Sequence, residues 1–400
     1  MPENRSSKKP CVLAVIWIDW YAYHVARFRG LLSAPGLAGQ TAGIELVGGV
    51  GVHAGLKFRQ PLPADLPVDT LLPEGDWQSA NKWALAWAVW KKLSALQPQA
   101  VLVPGYYTLP AIAAALWARL HRRTSVLMTE SASYDHVRVA TKEWAKGALL
   151  RVLFQWAVAG GKDHVTYLRS LRFPEDRIAG FYDVVDNRMY EEGVSRLRAE
   201  ASKASATTPD AFLFVGRLSP EKNVQGLLQA WTAYRAKGGT WSLVLAGDGP
   251  ERTVLQQLAK DSGYESDVVI TGLKSSEELL PYFASASCFV LPSTREPWGL
   301  VVNEAMASGL PVLVSNRCGC AHDLVHAGLN GFVFDPHVAD ELTACMQRME
   351  ALGAEARSNM GAYSRQVIQA YSPEAFGREV ARIVATTSAM GSLDLARQVP

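Results

Sequence analysis

Short apolar runs alternate with longer segments of helical periodicity along most of the chain. CVLAVIWI (11–18), GIELVGG (43–49), AVLVPG (100–105) and TSVLMT (124–129) lie in the first half. AFLFVG (211–216), WSLVLAG (241–247), DVVITG (267–272), CFVLPS (288–293), PVLVSN (311–316) and GFVFD (331–335) follow in the second. Each run is apolar throughout rather than at alternate positions, which predicts parallel strands buried on both faces. Between them Val224, Leu227, Leu228, Trp231 and Tyr234 follow the i, i+3, i+4, i+7 spacing of one buried helix face. Strand–helix alternation of this kind predicts the α/β class, with doubly wound parallel sheets whose ligands gather at the carboxyl ends of the strands.

The polar stretch GVSRLRAEASKASATTPD, followed at once by a fresh strand, predicts a division. The expected organisation is a first domain over 1–192, a linker over 193–210, a second domain over 211–375 and a C-terminal helix or tail over 376–400. A chain of 400 residues is long enough for two cores.

Composition narrows the function classes. With 48% hydrophobic and 20% charged residues the chain is ordinary globular protein. Forty Lys and Arg against 38 Asp and Glu give a net charge of +2, which does not announce a nucleic-acid partner. That balance hides an asymmetry: residues 1–192 carry 22 basic and 17 acidic groups, the remainder 18 and 21. Five cysteines are too few, and odd in number, for a disulfide framework. No apolar run reaches the roughly 18 residues of a membrane span. The polar opening MPENRSSKKP leads into a strand-like run rather than a signal peptide, so a cytoplasmic location is expected.

Two motifs carry candidate chemistry. The strand AFLFV runs into Gly216-Arg217-Leu218-Ser219-Pro220-Glu221-Lys222-Asn223 and a helix. Ser219 is expected to cap that helix, with Pro220 as its first residue. Arg217 and Lys222 then flank a helix entrance at a strand's carboxyl end, a place suited to an anion, or stand as solvated surface charges. The second motif is Glu296-Pro297-Trp298-Gly299-Leu300-Val301-Val302-Asn303-Glu304. Pro297 keeps Glu296 in the loop, Gly299 lets the backbone approach a ligand, and Glu304 projects from the helix that follows. Carboxylates accept from hydroxyls while cations and N–H groups hold phosphate. Together the motifs suit a ligand with a diphosphate in the middle and hydroxyl-rich ends.

From about Phe212 to Phe334 the sequence resembles family 4 of the glycosyltransferases, retaining enzymes of the GT-B fold that use nucleotide-sugar donors. The resemblance rests on GRLSPEKN, LVLAGDGPE, VVITGL, the Glu-x7-Glu block EPWGLVVNEAMASGLPVL and GLNGFVF. It implies two Rossmann-like domains facing a cleft, with a C-terminal helix, beginning at Ser372-Pro373-Glu374, that returns to the first domain. It implies that Arg217 and Lys222, beside Gly216, hold the donor diphosphate and that Glu304 accepts from the ribose. Glu296 would hold the transferred sugar, the Trp298-Gly299-Leu300-Val301 backbone would lie near sugar and phosphate, and Gly272 and Leu273 would meet the base. The donor, UDP- or GDP-linked, is a substrate; no cofactor or metal is implied. The acceptor implied is a saccharide, a lipid-linked or a small-molecule hydroxyl, in a setting such as bacterial exopolysaccharide or lipopolysaccharide assembly.

The chain departs from the family pattern in the first domain. The loop after the first strand, Ile18-Asp19-Trp20-Tyr21-Ala22-Tyr23-His24, is aromatic where relatives often carry glycines. Asp19, Tyr21 and His24 are acceptor-side candidates, or core packing. Glu130 stands where relatives often carry a histidine, and is read either as a catalytic hydrogen-bonding group or as a cap. Asp186 and Asn187, at the resemblance's inter-domain connection, are cleft-edge candidates or turn formers. Cys318, Cys320 and His322 are too few for a structural metal site, and Gly319 fits a small-residue loop near the donor sugar. Arg138, Lys142 and Lys146, beside Trp144, Leu149, Leu150, Leu153, Phe154 and Trp156, form either a basic helix on the inner face of the plasma membrane or a solvated face over a buried one. Competing functions are a GT-B nucleotide-sugar epimerase, a pyridoxal-phosphate phosphorylase and a donor-binding scaffold without catalysis.

Overall fold

The computed structural model describes residues 11–49, 62–134, 138–203 and 210–396. The polar opening, residues 204–209 of the expected linker and the last four residues lie outside them. The first domain runs β1 (Leu13–Trp17), α1 (Ala22–Ser33), β2 (Thr41–Val47), β3 (Val68–Leu72), α2 (Lys82–Leu96), β4 (Ala100–Pro104) and α3 (Leu109–Leu120). It continues with β5 (Thr124–Thr129), α4 (Ala140–Leu153), β6 (Trp156–Ala159), α5 (Lys162–Ser170) and β7 (Ile178–Ala179). Helix α6 (Asn187–Lys203) leads to the second domain: β8 (Ala211–Val215), α7 (Val224–Ala236), β9 (Ser242–Ala246), α8 (Arg252–Asp261), β10 (Val268–Ile270) and α9 (Ser276–Ser285). Then come β11 (Cys288–Leu291), α10 (Leu300–Ala307), β12 (Val312–Ser315), α11 (Ala321–Leu324), β13 (Gly331–Phe334), α12 (Ala339–Ala351), α13 (Ala354–Ile368) and α14 (Pro373–Ala396).

The strands form two sheets, ordered β3-β2-β1-β4-β5-β6-β7 and β10-β9-β8-β11-β12-β13. Every strand pairing between named strands is parallel. Each sheet is doubly wound, so the strand order reverses once: between β1 and β4 in the first, between β8 and β11 in the second. Loops leaving neighbouring strands at such a point diverge to opposite faces and leave a crevice. β1, β8 and β11 are buried at every position, as expected of continuous apolar runs, whereas the run at 267–272 forms the edge strand β10, which has a neighbour on one side only and exposes Val269.

Three strands escaped the apolar-run reading. β3, at the sheet edge, has only half-buried and exposed residues. β7 is two residues long. β6 lay inside the stretch read as the apolar end of a helix, but α4 stops at Leu153 and Phe154 is extended. The side-chain oxygen of Gln155 accepts from the N–H of Ser125 at 2.8 Å, which docks β6 beside β5. A short apolar run does not distinguish helix from strand by itself. The expected linker is likewise helical as far as Lys203. Tyr190 packs edge-on against Phe283 of α9, and Arg198 donates to the carbonyls of Phe283, Ala284 and Ser308.

Helix α14 begins at Pro373 as the sequence indicated, and the Ser372 hydroxyl accepts from the N–H of Ala375. Phe376, Val380, Ile383 and Val384 share a buried cluster with Phe28 and Leu31 of α1, so this helix returns to the first domain.

Candidate active site

The two motifs of the second domain leave β8 and β11, the strands flanking its reversal point. After β8 the local structure differs from the expected cap. Pro220–Lys222 is a single 3-10 turn, Asn223 takes a left-handed conformation (φ 53°), and α7 starts only at Val224. The Ser219 hydroxyl donates to the Glu221 carboxylate at 2.6 Å instead of capping the helix. The turn carries Lys222 toward β11, where its ammonium forms an ion pair with Glu296 across 74 residues of sequence. Arg217 is exposed at the same end of the sheet.

Glu296 is held at several points. Its N–H donates to the carbonyl of Arg317 at 3.1 Å and its carbonyl accepts from the N–H of Gly319 at 3.0 Å. The Ser293 hydroxyl donates to Oε2 at 3.2 Å. Gly319 has no room for a side chain, because a Cβ there would stand 1.9 Å from the Pro297 carbonyl oxygen. Gly299 precedes α10 at φ 102°, a conformation glycine adopts without strain. Leu300 and Val301 are the first helical residues after it, where backbone N–H groups have no partner within the helix. Glu304, one turn on, is half-buried. Burial pushes its carboxyl up to about 7, against a hydrogen bond from Tyr190 that pulls it down. Gly272 (φ 77°) and Leu273 follow β10.

The first domain contributes the opposing wall. A cavity of about 350 Å³ is bordered by Gly105 and Tyr107 after β4, Glu130 and Ser131 after β5, and Arg295 and Pro297 of the second domain. Glu130 therefore faces the turn that carries Glu296. Behind it Asp183 is fully buried. Burial, and next the charge of Glu130, push the Asp183 carboxyl well above its usual range, while Arg27 opposes them. Arg27, also fully buried, meets Asp183 at 2.9 Å and lies 4.0 Å from the centre of the Tyr182 ring.

Buried hydrogen bonds join the two walls. The Trp298 indole N–H donates to Asn303 Oδ1 at 2.9 Å, and Asn303 Nδ2 donates to the carbonyl of Asp183 at 2.9 Å. His164 receives the N–H of Gly161 on Nδ1 at 3.0 Å and has Nε2 2.9 Å from the Pro297 carbonyl. That pattern selects the neutral tautomer with the proton on Nε2. The Trp298 side chain is thus committed to packing between domains, while its backbone stays at the motif. Asn303, Asp183, His164 and Arg27 were not singled out from the sequence. Asn303 sits inside the Glu-x7-Glu block, but its partner is 120 residues away.

Other predicted residues have mainly structural partners. His24 is stacked on Trp17 with centroids 4.8 Å apart and receives the N–H of Tyr21 on Nδ1, at the start of α1. Asp19 and Tyr21 belong to the same turn after β1. Asp186 caps α6 by accepting from the N–H of Met189 at 3.0 Å. Asn187 donates to the carbonyls of Ile368 and Tyr371, which fastens the connection to the C-terminal segment. Cys318 and Cys320 are buried, and burial pushes both thiols well up. His322 instead contacts Asp163 of α5 at 3.1 Å. The basic stripe is not the one expected: Arg138 precedes α4, and Lys146 donates to Glu143 and Tyr167 at 2.7 Å each.

Residues 195–367 match the family model described as glycosyl transferases group 1. Among curated proteins, the O-antigen chain mannosyltransferase B of Escherichia coli is 36% identical over 179 residues, 44% of this chain and 46% of that protein. The GDP-mannose-dependent alpha-mannosyltransferase of Corynebacterium glutamicum is 31% identical over 172 residues, 42% and 39% of the two chains. The alignments thus span about half the length of such relatives or less. Among solved structures, HepE of Anabaena in complex with UDP superposes with a TM-score of 0.70 at 18% identity, covering 94% of this chain and 100% of that one. The fold is the two-domain GT-B architecture.

Proposed function

We propose that this chain, whose second domain matches the group 1 glycosyl transferases, is a metal-independent retaining glycosyltransferase that moves a sugar from a nucleoside-diphosphate donor to a hydroxyl acceptor. The observation that carries the reading is the Lys222–Glu296 pair at the entrance of α10, between the strands where the sheet order reverses. Arg217, Lys222 and the N–H groups of Leu300 and Val301 are the charges and dipoles that would receive a diphosphate. As the bond from the anomeric carbon to the phosphate oxygen breaks, negative charge grows on the leaving group, and fixed cations stabilise it without reorganisation.

Lys222 has three donors, so it keeps Glu296 in place while turning toward phosphate. Glu296 accepts hydroxyls of the transferred sugar, and Glu130 approaches that sugar from the opposite wall. The half-buried Glu304 accepts the ribose hydroxyls. In the working mechanism the acceptor oxygen bonds the anomeric carbon on the face the phosphate leaves, and its proton passes to the leaving phosphate oxygen. The acceptor is a saccharide, a lipid-linked or a small-molecule hydroxyl. Its setting is glycoconjugate assembly, in line with the O-antigen chain in the name of one relative, and its location is the cytoplasm.

The test is incubation of the purified protein with UDP- and GDP-sugars, with and without acceptor, followed by NMR. Transfer giving a product of the donor's anomeric configuration, undiminished by a chelator, is expected. An isomerised donor formed without acceptor would make the protein an epimerase instead.

A further inference from the structure

The helices on one face of the first sheet are unusual on their outer side. Helix α2 reads KWALAWAVWKKLSAL, apolar nearly all round. Leu85, Val89 and Leu93 face the core with Trp90 and Leu96 packed against its edge, whereas two tryptophans of the same helix point away from it. Trp83 is 74% exposed and Trp87, one turn on, 59%. The neighbouring α3 exposes Leu120 to 71% and Leu116 one turn before it, while α4 exposes Trp144 to 68% and Val152 to 64%. Exposed tryptophans on one layer are costly in water, because each displays a large apolar area with no partner.

The charges on these three helices are almost all positive, and Lys92 is paired with Asp69 of the edge strand β3. Residues 82–96, 109–123 and 140–153 hold nine Lys and Arg and a single carboxylate, Glu143, which Lys146 and Tyr167 already engage. Lys91, Arg119, Arg122 and Lys142 are exposed beside the apolar groups, and the Lys91 ammonium lies 5.5 Å from the centre of the Trp87 ring. The whole chain is only +2, so the excess is local. No helix among the described residues is long and apolar enough to cross a membrane.

We propose that the outer face of α2, α3 and α4 rests on an anionic lipid bilayer. Tryptophan rings settle at the boundary of headgroup and acyl chain, and Lys and Arg pair with anionic headgroups in the same plane. A protein partner would need a matching acidic and apolar surface, whereas an anionic bilayer offers both everywhere. The proposal stands apart from the reading of the cleft, since it uses none of those residues.

The experiment is co-sedimentation of the full chain with vesicles of phosphatidylcholine, with and without about 30% phosphatidylglycerol. Binding to the anionic vesicles is expected, weakened by added salt as the charges are screened. Replacing Trp83, Trp87 and Trp144 together by serine is expected to lower partitioning by about tenfold or more, with unchanged circular dichroism and UDP binding. Absence of binding by the unsubstituted chain, or undiminished binding by the triple variant, would overturn the proposal. So would a dimer that the same substitutions dissociate in light scattering without vesicles, which would assign this face to a second copy.

Discussion

Lys222 and Glu296 neutralise one another across the mouth of α10, although one follows β8 and the other β11. The pair is partly shielded, with side chains 21% and 12% exposed, so each group sits where its loss is felt by the other. A donor bound here as proposed would meet a cation already aimed by a carboxylate. Charge preorganised in this way acts at no cost in reorganisation when the leaving group departs.

Glu296→Gln separates binding from chemistry. The amide keeps the shape but loses the charge that positions Lys222 and that is proposed to receive sugar hydroxyls. Transfer is expected to fall about 100-fold or more, with UDP affinity by calorimetry nearly unchanged. Full activity in this variant would discard the assigned role.

Lys222→Ala and Arg217→Ala act on the other side of the pair. Each removes a cation proposed to contact phosphate, so nucleoside-diphosphate affinity is expected to drop roughly 10- to 100-fold. Calorimetry with UDP and GDP measures it; unchanged affinity in the double variant would place the diphosphate elsewhere.

Glu304 gives a pH dependence. Its carboxyl is raised from 4.5 to about 7 by burial, so the folded chain holds a proton that the unfolded chain releases at lower pH. Its contribution to stability therefore declines as pH rises from 4.5 through about 7. The ionised form is the better acceptor for ribose hydroxyls, so nucleotide affinity is expected to rise through neutrality. In Glu304→Gln this component should vanish, leaving only the titration of the phosphate itself.

Asn303→Ala tests the join between domains. It strands the Trp298 indole N–H and the Asp183 carbonyl, both buried, at a cost of about 2–4 kcal/mol. Chemical denaturation should show the loss, and donor affinity should weaken with it because Trp298 neighbours Gly299.

Gly319→Ala would place a methyl group against the Pro297 carbonyl. The loop that fixes Glu296 through the Gly319 N–H must then shift. Turnover is expected to fall more than UDP affinity, as steady-state kinetics and calorimetry together would reveal.

Much of this architecture was legible from the chain. Parallel strands announce themselves because burial on both faces demands an unbroken apolar run, as in AFLFV and CFVL. Helix faces such as Val224 to Tyr234 do so through their period. Arg217, Lys222, Glu296 and Glu304 stood in local motifs whose loops and helix starts could be read from Gly and Pro. Even so, Ser219 did not cap as expected: its hydroxyl donates to Glu221, and a 3-10 turn separates it from the start of α7 at Val224.

What tertiary structure alone decided is which distant groups meet. Asn303 finds Asp183, His164 finds Pro297, and Glu130 faces Arg295 only after two sheets have closed on one another. A local sequence signal reports conformation over a few residues, whereas a buried hydrogen bond depends on the packing of everything between its ends. The same limit hid the outer face of α2. Its periodicity could not say which of two apolar faces the core would take, and the sheet took the one carrying Leu85, Val89 and Leu93, leaving Trp83 and Trp87 outside.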